Sequence, residues 1–147
     1  LWERIKYGKA SLVGIVTGTI AGLASITPAS GFVGPLEALV IGAVAGVLCQ
    51  EAVNLVRNRF KIDDTLDVFA VHGLGGIFGT LMIALLGHGN WAAQLGGLAI
   101  VGGFTFVVTV AVVWITRAMV GMRVDAEAEV TGLDISLHGE RAYDLTS

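Results

Sequence analysis

Residues 63–82 read DDTLDVFAVHGLGGIFGTLM. An acidic lead-in gives way to apolar residues, yet Asp67 and His72 sit within what is otherwise the composition of a hydrocarbon-soluble helix. Ionisable groups inside a membrane span are rare, and they usually face a cavity, a partner or a transported ligand. The surrounding solvent therefore decides how this stretch is read. At 54% hydrophobic and 14% charged residues, with a mean hydropathy of +0.79, the chain is too apolar and too poor in charge for an ordinary soluble domain.

Four stretches are long enough to cross a bilayer, which takes about 20 residues at about 1.5 Å rise each. They lie near 10–27, 35–56, 65–87 and 92–120, which makes 1–120 a transmembrane region and leaves 121–147 as a tail. Period-2 alternation is absent, which argues against barrel strands and for an all-α integral membrane bundle. The opening LWERIKYGK is charged and aromatic rather than a secretory signal, and no initiator Met heads the chain; the expectation is a piece of something longer.

Charge gives the orientation. Arg4, Lys6 and Lys9 precede the first span, Arg57, Arg59 and Lys61 lie between the second and third, and Arg117, Arg123 and Arg141 lie at or beyond the end of the fourth. All fall on one side, which the positive-inside rule makes cytoplasmic. The connections TPASGFVGP and GHGNW carry no Lys or Arg and face outward. Much of the acidic balance sits in the tail, and nucleic acid is not an expected partner. Cys49, alone, permits no internal disulfide.

Gly14, Gly18 and Gly22 repeat every fourth residue, as do Gly42 with Gly46 and Gly75 with Gly79. That spacing puts them on one helix face, where two backbones can approach closely. HGLGGIFG is a poor phosphate loop, because no strand precedes it. At the inner end of the third span, Thr65 is a good N-cap, and Asp63 and Asp64 complement the helix dipole. Asp67 can cap its own first turn, serve a function, or order helices around a cytoplasmic pore mouth. Glu51 can snorkel or meet Arg57.

Counted from Thr65, His72 lies about 10 Å into the span, near mid-membrane. No second ligand stands at metal-binding spacing within the membrane, and a haem held by two histidines would need another at depth; His88 is in an outer connection and His138 in the tail. No metal or cofactor is expected. A packing role, with the imidazole bonded to a carbonyl, stands beside proton exchange or hydrogen bonding to a small polar solute. Ser11, Ser25 and Ser30 have no His or Lys at recognisable catalytic spacing, so an enzyme is not expected.

DDTLDVFAVHGLGGIFGTLM closely resembles the tenth membrane helix of the ammonium transporter (Amt) family, and GKASLVGIVTGTIAGLASITPASGFVGPLEALVIGAVAG resembles the eighth and ninth. GLDISLHGERAY is similar to the family's cytoplasmic C-terminal pattern at Gly132, Leu133, Asp134, His138, Gly139, Glu140, Ala142 and Tyr143. The resemblance implies the C-terminal part of an eleven-helix, homotrimeric transporter in the plasma or inner membrane, with the C-terminus cytoplasmic. It implies that His72 is one of two paired pore histidines, that Val68 lines the inner pore one turn before it, and that Asp67 supports the cytoplasmic end. The substrate would be ammonium or ammonia, and a PII-type nitrogen regulator would act on the tail. The family's other pore-lining helices would come from the same or another chain, so this content is not expected to conduct by itself. An ammonium-sensing signalling module and a structural membrane subunit are the competing readings.

Overall fold

The computed structural model describes residues 1–141; residues 142–147, and with them the tail positions Ala142 and Tyr143, lie outside the description. Among the described residues the regular structure is helical throughout. Two compact units divide the chain, Leu1–Gly102 and Gly103–Ser147.

The first unit opens with a short helix that the sequence reading did not anticipate, α1 (Trp2–Tyr7). Gly8 ends it at φ 77°, a left-handed conformation that suits glycine, with its N–H donating to the Arg4 carbonyl. The Glu3 carboxylate then accepts from the Ser11 backbone N–H at 2.8 Å and from its hydroxyl at 3.0 Å. Ser11 in turn caps α2 (Leu12–Ile26) by accepting from the Gly14 N–H at 2.9 Å.

A 3-10 turn, Thr27–Ala29, closes α2, and Pro35 starts α3 (Pro35–Asn54), where its missing N–H costs nothing. The Glu37 carboxylate reaches back to the Gly34 N–H at 2.8 Å. α3 runs on into a wide π turn, Leu55–Arg59. A second π turn, Phe69–Gly73, leads into α4 (Leu74–Leu85), and Asn90 caps α5 (Trp91–Val120) by accepting from the Ala92 N–H at 2.8 Å. Leu12–Ala29, Pro35–Arg59 and Trp91–Val120 are long and apolar enough to cross a membrane; Phe69–Leu85 is a shorter apolar helix.

Small residues make the core. Ala21, Cys49, Val53, Val56, Ala70 and Val71 form one buried cluster joining α2, α3 and the two π turns. Ala29, Ile41 and Ile83 form another, flanked by Ile26, Val33, Phe78 and Met82. The close approach falls at particular glycines: a Cβ on Gly79 would strike the Ser25 carbonyl oxygen, and one on Gly75 would come within 2.8 Å of the Ser25 hydroxyl. Gly22 meets Gly42, with 3.8 Å between the position a Cβ would take on the first and the Cα of the second. Gly14 faces the Glu3 carboxylate of α1, and Gly18 and Gly46 have no neighbour within 4 Å of that position.

In the second unit, α5 ends and two short helices follow, α6 (Ala126–Thr131) and α7 (Leu133–His138). Gly132 separates them at φ 97°, and Gly139 ends α7 at φ 66°. Ser136 donates to the Gly132 carbonyl at 2.8 Å, and the Glu140 N–H donates to the Asp134 carbonyl at 3.0 Å. Arg123 lies 3.5 Å from the Glu129 carboxylate.

Candidate functional site

The α3–α4 connection builds the site from its acidic residues. Thr65 does not cap the third helix, contrary to the sequence expectation; its hydroxyl donates to Asp63 at 3.1 Å. The cap is Asp64, whose two carboxylate oxygens accept from the backbone N–H groups of Val68 and Phe69, each at 2.9 Å. Helix therefore begins at Val68 rather than Thr65, and His72 stands about one turn inside it, about 6 Å from its start. The start shifts because the Asp64 carboxylate, four and five residues upstream, takes the free donors of Val68 and Phe69.

With its neighbour capping the helix, Asp67 has another task. It is 7% exposed and adopts φ 55°, the left-handed region that non-glycine residues rarely occupy. Arg57 closes on it as a fork: Nη2 donates to Oδ2 at 2.8 Å, and Nε lies 2.6 Å from Oδ1. The same Nη2 donates to the Thr65 carbonyl at 2.9 Å. Asp67 Oδ1 is buried and, short of that ion contact, has no aligned hydrogen bond. Sequence reasoning let Glu51 either snorkel or meet Arg57; the structure gives Arg57 to Asp67. Glu51 instead accepts from the Trp2 indole at 2.7 Å and from Lys6 at 2.6 Å, fixing α1 against α3. A buried carboxylate needs a cation, and Arg57 sits on the adjoining helix end; that requirement was the available clue.

The second π turn has two unlike faces. Ala70 and Val71 are fully enclosed in the core, and the Val71 carbonyl lies 3.9 Å from the Cys49 sulfur. Val68 and His72 are exposed on the other side, as is Phe69. The Phe69 ring runs along Gly73, 3.3 Å from where a Cβ would stand. Among the described residues, no protein group hydrogen-bonds the His72 imidazole. Wide turns of this kind occur often at functional sites, and here one keeps an imidazole available while its backbone neighbours are locked.

Other predicted positions fall on other elements. Gly75 and Gly79 follow on α4 at the α2 contact. In the second unit Gly132, Leu133, Asp134, His138, Gly139 and Glu140 lie on and beside α7, with Leu133 45% exposed. Tyr143 falls outside the described residues. In the α4–α5 connection His88 Nε2 lies 3.5 Å from Glu37 of α3, a contact the sequence reading did not foresee.

The family model described as the Ammonium Transporter Family matches residues 1–143. The chain is 41% identical to the ammonium transporter Amt1 of Archaeoglobus fulgidus over 92% of its own length, and 37% identical to an ammonium transporter of Aquifex aeolicus over 97%. It spans 38% and 37% of the lengths of those two relatives. No solved structure matches it. An apolar chain whose described residues form helices, several of membrane length, and which is matched almost end to end in this way, belongs to the ammonium transporter family.

Proposed function

We propose that this chain contributes part of a transmembrane path for ammonium or ammonia, with His72 as one of its paired pore histidines. The observation that carries the reading is the exposed, unpartnered His72 imidazole on an otherwise apolar helix of an ammonium transporter family chain. Packing among the described residues gives that ring nothing to bond. Carrying an intact cation through about 30 Å of hydrocarbon is costly, so exchanging it for neutral ammonia by loss of a proton lowers the barrier. A neutral imidazole offers one donor and one acceptor, which suits it to receive such a solute or hand on its proton. Val68, exposed beside His72, forms the apolar lining towards the cytoplasm, and Asp67 supports that end.

The same reading places the chain in the cell membrane as a multi-pass protein within a homotrimer, its C-terminus cytoplasmic. The Lys and Arg distribution supports the orientation. The apolar surface of α5, which buries no side chain fully, supports assembly with further helices. Residues 121–147 serve as a regulatory tail on which a PII-type regulator acts. Replacing His72 with Ala in the assembled transporter is expected to change ammonium flux or its selectivity over potassium, measured in proteoliposomes. Unchanged flux together with unchanged selectivity would remove His72 from the path.

A further inference from the structure

We infer that Arg57 is the positioning residue for His72, acting through Asp67; this rests on the conducting role proposed above. Arg57 does not touch the imidazole. It holds the residue from which the His72 turn is launched.

Asp67 stands immediately before the first helical residue, and its carbonyl accepts from the Val71 N–H at 2.9 Å. The orientation of that carbonyl therefore sets where the turn begins and which way residues 68–72 face. Left to itself, an aspartate leaves φ 55° for the broad allowed regions. Asp64 satisfies the Val68 and Phe69 donors, so capping does not hold Asp67 in place. What holds it is the Arg57 fork on a nearly buried carboxylate, braced by the third contact from Arg57 to the Thr65 carbonyl. A planar guanidinium can make these contacts together; a lysine ammonium, a point charge on a flexible stem, cannot reproduce the fork. Both ends of the clamp lie in or beside π turns, Leu55–Arg59 and Phe69–Gly73, so the device ties the two wide turns to each other.

The closing experiment separates the clamp from the chemistry. Arg57→Gln is expected to reduce ammonium flux by roughly tenfold or more, since small misplacement of a reacting group has effects of that order. It is also expected to shift the 15N resonance of the His72 imidazole, assigned by its loss in His72→Ala. Arg57→Lys should fall between Arg57→Gln and the wild type. The decisive variant adds Asp67→Gly to Arg57→Gln. Glycine adopts φ 55° without strain and leaves no buried carboxylate, so flux and resonance should both return towards wild type. That rescue is read even if Arg57→Gln alone fails to reach the membrane. Failure of the double variant to recover would show that the charge pair itself is needed and would overturn positioning. Normal flux in Arg57→Gln alongside altered flux in His72→Ala would also overturn it while leaving the path through His72 intact. Unaltered flux in His72→Ala would remove both proposals.

Discussion

At Gly79 the spacing of two backbones is set by a missing carbon. A Cβ there would meet the carbonyl oxygen of Ser25, a backbone atom that cannot turn aside. At Gly75 the nearest atom is instead the Ser25 hydroxyl, a side chain with freedom to rotate. Gly79→Ala is therefore expected to destabilise the α2–α4 contact by about 1–3 kcal/mol, the usual range for overpacking, and Gly75→Ala by less. Thermal unfolding of the detergent-solubilised protein would rank them; equal midpoints would refute the asymmetry. The four-residue glycine spacing pointed to this face from sequence, but it could not separate the tight pair from Gly18 and Gly46, which meet no neighbour. Period reports which residues share a face; the opposing helix decides which of them is touched. Arg57 was illegible for a related reason. The one partner the sequence suggested as an option, Glu51, is near in sequence on the same helix, whereas the fold delivers Asp67 from across the connection.

Among the elements, α1 depends most on its neighbour. Six residues are too few to hold a helix in water, so its order comes from contacts made by Trp2, Lys6 and Tyr7. Glu51 takes the first two, and the Tyr7 hydroxyl accepts from Asn54 at 3.0 Å. The Glu51 carboxylate, accepting a hydrogen bond from Lys6, raises the lysine above its ordinary value of 10.5, with burial opposing. A raised folded value means that this stabilisation is fully present below the unfolded lysine value and disappears as pH climbs through the folded one. Docking of α1 is accordingly expected to be constant across neutral pH and to weaken in strong alkali. Glu51→Leu should release it at pH 7, read as a red shift of Trp2 emission against a Trp2→Phe control; no shift would mean that apolar contacts alone hold α1. The sequence showed this stretch as charged and aromatic without resolving it as a helix, because its pattern is too short to display a period. The third span shows the converse. Its apolar run was plain, yet its start moved from Thr65 to Val68 once Asp64, rather than the threonine, supplied the cap.

Across the whole molecule, the membrane class and the family were legible because they are written in long apolar runs and in motifs many residues wide. The tail was less so: VDAEAEV alone is acidic and short of core residues, a composition that permits disorder. Within its own unit it nevertheless forms α6 and α7, hinged at Gly132 by a backbone conformation that other residues resist. If the segment couples subunits, deleting residues 132–147 from the assembled transporter should lower flux while leaving membrane insertion intact. Wild-type flux after the deletion, with rapid amide exchange throughout α6 and α7 of the intact protein, would make it a tether.

The small-residue core has a consequence for how this protein can be interrogated. Ala21, Ala29, Ala45, Ala70 and Ala84 are buried, and the tight helix contact is made by Gly75 and Gly79. An alanine scan passes over the first five without changing an atom, and at the two glycines it adds bulk instead of removing it. The usual survey for important side chains would thus leave most of this packing unseen and report sensitivity elsewhere, at Arg57, Asp67 and the larger exposed residues. Enlargement is the informative perturbation: a scan with valine or leucine would trace the helix seams as a continuous line of intolerance along α2, α3 and α4.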